Sequence, residues 1–304
     1  PGLLGRYPRT MIQRSPARLL ASDLDGTILF QRTMSNNDVA SLKRWHSQEP
    51  AGSHQLVCCT GKSLAATRYC IDQFGVPWDF YVMYTGAVVC DSDYRILHAS
   101  TLGNDVMLEV WEFLSRVPGI AVYATTLDTE DVSLGESLPQ GVATDMIQTF
   151  VPLDLARIPE HQFVGVPIWV PAQAAQVGTN IDALQAQILA RFGDVLDCHR
   201  NQDFLDIVPK GATKGSGLRW LLDYLGSGEC IEAGEGALQG VQESAACDGG
   251  RVELLTAGDS FNDLDMHRIA DISASFPHSP AEVQAATTHV VGSMAEFIDL
   301  NLKH

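Results

Sequence analysis

Leu19-Leu20-Ala21-Ser22-Asp23-Leu24-Asp25-Gly26-Thr27 begins as a short apolar run and ends abruptly on two aspartates, a glycine and a threonine. The run has the length and composition of a buried strand. Two later segments repeat the pattern. Leu56-Val57-Cys58-Cys59 leads into Thr60-Gly61-Lys62-Ser63, and Val252-Glu253-Leu254-Leu255 precedes Gly258-Asp259-Ser260-Phe261-Asn262-Asp263. The chain thus sets carboxylates and hydroxyls at the carboxyl ends of neighbouring strands, where open α/β sheets bind ligands.

Two nucleotide-binding readings fail on spacing. Thr60-Gly61-Lys62-Ser63 looks like the tail of a P-loop, but the glycine required five positions before Gly61 is Leu56. The glycines around Lys214 and the set Gly234, Gly236 and Gly240 give no Gly-x-Gly-x-x-Gly after a strand, so dinucleotide binding has no support. In order and content the segments resemble the haloacid dehalogenase (HAD) superfamily, in its type IIB capped branch of Cof-like and sucrose-phosphate phosphatases. Asp23-Leu24-Asp25-Gly26-Thr27 corresponds to the first motif of that family, Thr60-Gly61 to the second, and Gly258-Asp259 through Asn262-Asp263 to the fourth. Lys214, in Pro209-Lys210-Gly211-Ala212-Thr213-Lys214-Gly215, stands where the lysine of the third belongs. The resemblance implies a magnesium-dependent phosphomonoester hydrolase.

The chemistry suits these residue types. Phosphoryl transfer asks a protein mainly to align reacting groups and neutralise charge. A bare aspartate repels phosphate, and a divalent cation removes that objection. Asp23, Asp25 and Asp259 offer the hard oxygens that Mg2+ prefers, and Asp263 is counted with this metal set as the group that orients Lys214 or a metal-bound water. Asp23 as nucleophile forms an aspartyl-phosphate and splits one difficult displacement into two. Asp25 then protonates the leaving alcohol and later takes a proton from water. In the resembling family its backbone carbonyl contacts the metal, which leaves its carboxyl free for that work. Thr60, Gly61 and Asn262 are the expected substrate contacts, and Lys214 opposes the developing charge.

Composition bounds the partners. With 37 acidic against 20 basic residues the net charge is −17, which opposes non-specific binding to nucleic acid or anionic membrane. Positive charge must then be local, and Lys62, Lys210 and Lys214 are the candidates. Seven cysteines without CxxC spacing read as reduced, buried thiols rather than a zinc or disulfide framework. No apolar stretch has transmembrane length and no signal peptide is recognisable, so a cytoplasmic location is expected. Nothing predicts the oligomeric state.

Strand and helix alternation predicts an α/β fold: a Rossmann-like parallel sheet core with helices on both faces plus an inserted α+β cap domain. Residues 1–16 are expected to be a disordered tail, 17–88 and 209–304 the core, and 89–208 the cap. Ser35 and Asp38 cap a helix carrying Val39, Leu42 and Trp45; a second carries Leu64, Ile71 and Phe74 and stops at Gly75. Phe80–Tyr84 reads as a strand. In the cap, helices are expected over Asp105–Arg116 and Ile181–Phe192, and strands over Phe163–Val170, Val195–His199 and Phe204–Val208. A further helix runs from Lys214 through Leu225, and the stretch between Gly226 and Gly250 reads as a mobile surface loop.

Two places depart from the family pattern. Thr85-Gly86 replaces asparagine-glycine, and Pro277-His278-Ser279 replaces glycine-asparagine-alanine, although Ser279, Pro280 and Glu282 still read as a helix start. Both lie near the substrate rim in relatives and leave the reaction type unaffected. The expected partner is a small phosphorylated metabolite, a sugar phosphate first, because a lid over a buried phosphate site admits small leaving groups. A phosphomutase of the phosphomannomutase type and a non-catalytic metabolite-binding relative are the alternatives. Arg157, His161, His199, Arg200 and Asn201 are polar candidates at cap strand ends.

Overall fold

The computed structural model describes residues 17–127, 132–134, 151–201, 203–227 and 251–302. The expected tail, nearly all of the 226–250 loop, and residues 128–131 and 135–150 of the expected cap lie outside the described residues.

The chain starts with β1 (Arg18–Ser22), α1 (Asn36–His46), β2 (His54–Cys59), α2 (Leu64–Ile71), β3 (Phe80–Met83), β4 (Val88–Asp91) and β5 (Ile96–Ala99). There follow α3 (Asn104–Leu114), β6 (Ala121–Thr126), β7 (Val132–Leu134), β8 (Val151–Pro152), β9 (Phe163–Trp169), α4 (Ile181–Phe192), β10 (Leu196–Asn201) and β11 (Phe204–Pro209). The last elements are α5 (Lys214–Ser227), β12 (Glu253–Ala257), α6 (Leu264–Ile269), β13 (Ile272–Ser275), α7 (Ala281–Ala285), β14 (His289–Val290) and α8 (Met294–Leu302).

Two sheets result. The first has the order β14-β13-β12-β1-β2-β3-β4-β5, parallel from β14 through β3 and antiparallel across β4 and β5. Its central strands are buried on both sides, their side chains alternating between two cores. Leu20, Leu56, Cys58, Tyr81 and Met83 join Leu42, Trp45, Ile71, Phe297 and Ile298 of α1, α2 and α8. Leu19, Ala21, Val57, Cys59 and Val82 join Leu218, Leu221 and Met266 of α5 and α6 on the other face. Cys58 and Cys59 are free and fully buried, and burial pushes both thiols above their ordinary range, which suits packing rather than redox work.

The second sheet has the order β10-β11-β9-β6-β7-β8 and is antiparallel except for the β7–β8 pair. Leu205, Ile207 and Ile168 pack against Val110, Leu114, Leu184 and Ile188 of α3 and α4 on one face. The opposite face is turned to the first sheet, and Val164 and Val208 join the core there. This is the expected α+β cap over a parallel core.

Some boundaries differ from the sequence pattern. The expected cap starts at Val89, yet β4 and β5 hydrogen-bond into the first sheet, so the core runs on to Ala99. The strand expected over Phe80–Tyr84 stops at Met83 because Tyr84 and Thr85 take positive φ, 51° and 56°. Ser35 caps α1 as expected, accepting from the Asp38 N–H at 3.0 Å. Ser279 does not cap α7; its hydroxyl turns back to accept from the Phe276 N–H at 3.1 Å. Among the described residues no helix is long and apolar enough to cross a membrane.

α5 begins where it does because Thr213 and Ser216 cap each other, the Ser216 N–H donating to Thr213 Oγ1 at 3.0 Å and the Thr213 N–H to Ser216 Oγ at 2.9 Å. The Thr85-Gly86 turn presses on this first turn. Gly86 has φ +95°, and a Cβ there would lie 1.8 Å from the Thr213 carbonyl oxygen. Gly86→Ala should therefore cost at least about 2 kcal/mol through strain and displacement of α5. Urea titration checks this, and a loss below about 0.5 kcal/mol, the range of ordinary surface changes, would contradict it.

Candidate active site

The carboxyl ends of β1, β2 and β12 meet beneath the second sheet, and a cavity of about 230 Å³ lies between. Asp23, the residue after β1, is buried, and its N–H donates to the Ala257 carbonyl at 2.9 Å. Lys214 opens α5 at 1% exposure and reaches across the sheet end. Its ammonium donates to Asp23 Oδ1 and to Asp263 Oδ1, both at 2.6 Å. The second oxygen of Asp263 accepts from the backbone N–H groups of Asp259 and Ser260, each at 3.0 Å. Asp263 thus ties the loop after β12 to the lysine, and both its oxygens are engaged. Asp259 completes a cluster in which carboxylate oxygens of Asp23, Asp259 and Asp263 lie within 4.8 Å of one another.

Local chain chemistry places these groups. Gly26, at φ +80°, turns the chain directly after Asp25, and a Cβ on it would lie 2.4 Å from Asp259 Oδ2. The Thr27 hydroxyl sits 3.3 Å from Asp23 Oδ2 and 3.2 Å from Asp259 Oδ1. His278, in the segment that departs from the family pattern, places Nε2 2.7 Å from the Gly26 carbonyl oxygen and 4.0 Å from Asp259 Oδ2.

The remaining sequence candidates divide. Asp25 stands at the cavity with a side chain 58% exposed, outside the three-carboxylate cluster, and pairs with Lys62 at 2.8 Å. Gly61 and Asn262 line the cavity, and Asn262 Oδ1 accepts from Ser260 Oγ at 2.6 Å. Thr60 is buried beneath it, its hydroxyl accepting from the Lys62 N–H at 3.2 Å. Lys210 is remote and pairs with Asp197 at 2.7 Å. Of the polar cap candidates, Arg157 pairs with Glu160, Arg200 with Asp182, and neither they nor His161 and His199 line the cavity. The Asn201 side chain lies outside the described part of the molecule. The sequence reading did not single out Thr27, Ser63, Tyr84, Thr125 or Asp206, all of which the structure brings to the site. Thr27 carried a signal, being part of the first motif.

The ionisation of Asp23, Asp259 and Lys214 reflects this crowding of charge. Burial, with the neighbouring Asp263 charge, pushes Asp23 up to about 8 against the pull of Lys214. Burial and Asp263 likewise raise Asp259. Burial alone favours neutral Lys214, but the Asp23 and Asp263 carboxylates outweigh it and hold the lysine protonated, above its ordinary value.

The profile of the haloacid dehalogenase-like hydrolases matches residues 20–229. A protein of Haemophilus influenzae named "Putative phosphatase" is 24% identical over 281 residues, which is 90% of this chain and 92% of that protein. An HMP-PP phosphatase of Enterobacter sp. (strain 638) is 25% identical over 222 residues, 69% of this chain and 74% of that one. A solved structure described as a sugar phosphatase of HAD subclass IIB superposes with a TM-score of 0.67 at 15% identity, covering 94% of this chain and 98% of its own. The chain belongs to the haloacid dehalogenase-like hydrolases. It shares the capped two-layer fold of that IIB structure, and its enzyme class is that of the phosphatases.

Because Asp23 binds its proton more tightly when folded, the folded state holds more protons than the unfolded chain between the ordinary carboxylate value and about 8. Stability without metal therefore falls as pH rises through that window. In excess chelator the melting temperature of the wild type should drop from pH 5 to 8.5 more steeply than that of Asp23→Asn, whose amide does not titrate. Parallel curves would refute the assignment.

Proposed function

We propose that the chain hydrolyses phosphate monoesters of small metabolites, sugar phosphates among them, through an aspartyl-phosphate on Asp23 and with Mg2+ at the carboxylate cluster. The observation that carries this reading is the buried Asp23 carboxylate, gripped by Lys214 and opening on a cavity closed by the cap. The IIB sugar phosphatase and the Enterobacter HMP-PP phosphatase support small phosphorylated substrates.

The donor set fits a hard dication. Three carboxylates gather around one ammonium, a surplus of negative charge in a buried place. With Asp263 committed to Lys214 and two backbone N–H groups, the carboxylates of Asp23 and Asp259 would hold the ion, joined by the Asp25 carbonyl as the resemblance implies. Bound there, Mg2+ supplies the positive charge that lets an anionic nucleophile meet an anionic phosphate.

The protein's own groups carry the rest. Lys214 fixes the rotation of the Asp23 carboxylate, which attacks phosphorus as the bond to the leaving oxygen breaks. Asp25 gives that oxygen its proton, then removes a proton from the water that attacks the phospho-aspartate and frees Asp23. Lys62, 2.8 Å from Asp25, positions the Asp25 carboxylate at the mouth of the cavity. We place the cap at residues 101–209, after the core edge strand β5, and read the enzyme as cytoplasmic.

Asp25→Asn should lower turnover of alkyl phosphates by about 10² to 10⁴. Activated aryl phosphates, which leave without a proton, should lose much less; equal losses for both would remove the general-acid role. With magnesium the enzyme should release inorganic phosphate from sugar phosphates, while Asp23→Asn and chelated wild type release none. Activity in excess chelator would exclude the metal, and a sugar 1,6-bisphosphate requirement without net phosphate release would mark a mutase.

A further inference from the structure

The segment after β13 departs from the family pattern, and its histidine has no part in the mechanism above. Phe276-Pro277-His278-Ser279 is a firmly closed turn. The Ser279 N–H donates to the Phe276 carbonyl at 2.9 Å, and the Phe276 N–H donates back to Ser279 Oγ at 3.1 Å. The side-chain amide of Gln284 adds bonds to the Pro277 carbonyl at 3.3 Å and the Ser279 carbonyl at 2.8 Å. The His278 ring stacks on the buried ring of Phe276, 5.6 Å between centroids, and meets Phe30 in a T-shaped contact at 5.8 Å. A side chain that is half exposed is thus held in one place, aimed at the loop after β1. A carbonyl oxygen only accepts, so the 2.7 Å contact between Nε2 and the Gly26 carbonyl puts a proton on Nε2. Gly26 packs directly on Asp259, since a Cβ on it would lie 2.4 Å from Oδ2. Its N–H donates to the Leu29 carbonyl at 3.1 Å, so with His278 in place both polar groups of this glycine are held. Nε2 stops 4.0 Å from Asp259 Oδ2, beyond hydrogen-bond reach, and the bond therefore goes to the Gly26 backbone and not to the carboxylate.

We propose that His278 is a positioning residue for magnesium. By holding the Gly26 carbonyl it fixes the backbone that follows Asp25 and the wall against which Asp259 rests, and so sets how tightly the carboxylate cluster binds the ion. This deepens the magnesium-dependent reading above and rests on it. Magnesium demands near-ideal octahedral geometry, so play among its ligands weakens it. Glycine gives the chain the freedom to turn at φ +80° directly after Asp25, and the same freedom would let the turn drift. A hydrogen bond one step removed from a metal supplies that restraint, and losing one costs about 10–100-fold in affinity. The proposal needs the donor and not a charge on the ring, so a neutral amide nitrogen at the same reach would serve.

The test measures magnesium affinity without substrate, from the rise in melting temperature as the ion is titrated into chelator-treated protein. His278→Phe keeps a ring against Phe276 and Phe30 and removes the donor, whereas His278→Gln removes the ring and keeps an N–H at similar reach. The Phe variant should bind magnesium about tenfold more weakly than wild type, and the Gln variant within about threefold of it. Equal affinity in wild type and His278→Phe, or a Gln variant as weak as the Phe one, would overturn the inference and leave the phosphatase reading standing. If His278→Phe does not melt cooperatively without metal, His278→Ala takes its place; failure of both to fold would make the ring a requirement of folding and overturn the inference. Asp259→Ala should lose the magnesium response altogether. A response that persists there, or a wild type that magnesium does not stabilise, would overturn the proposed metal site, and this inference with it.

Discussion

A single ammonium group, that of Lys214, holds the site together. It is sealed from water between Asp23 and Asp263 and so joins the end of β1, the first turn of α5 and the loop after β12. Without that cation two buried carboxylates would face each other, and losing one partner of a buried pair costs about 3–5 kcal/mol. The arrangement is also incomplete by itself. Asp259 adds a third carboxylate that the lysine does not contact, and the surplus charge is what makes the place receptive to a dication.

How much of this was legible follows from what each residue does locally. Asp23, Gly26, Thr60 and Asp259 lie at or just beyond the ends of apolar runs, and a strand that ends in a tight turn writes its signal in nearby letters. The helix after Ser35 was equally plain, because capping is a four-residue event. The two-layer architecture followed from alternation of strands and helices. The β4–β5 hairpin was assigned to the wrong layer because Val88-Val89-Cys90 is equally apolar whichever sheet it joins, and only pairing with β3 decides.

Side chains that depend on tertiary placement were harder to read. Asp206 sits between Leu205 and Ile207, and that alternation reads as a half-solvated strand with a polar outer face. Only the docking of the cap turns the outer face into the roof of a cavity. Lys62 was one of three lysines suited to phosphate, and its contact with Asp25 spans two strand ends that nothing in the local sequence links. Arg157 and Arg200, polar residues near cap strand ends, find carboxylates within the cap itself, which sequence position alone does not foretell.

The place of β1 in the middle of its sheet has a consequence for how the chain is assembled. β1 pairs with β2 on one side and with β12 on the other, and its Arg18 meets Glu253 across 235 residues. The second sheet, by contrast, is drawn entirely from one continuous stretch that ends at β11. A chain made from its amino terminus can therefore close the cap while the apolar strand Leu19-Leu20-Ala21 still has an open edge. Such an edge invites pairing with other chains until its partner arrives. The catalytic half of the molecule is the last to be built, and the vulnerable interval is set by the length of chain inserted between β5 and β12.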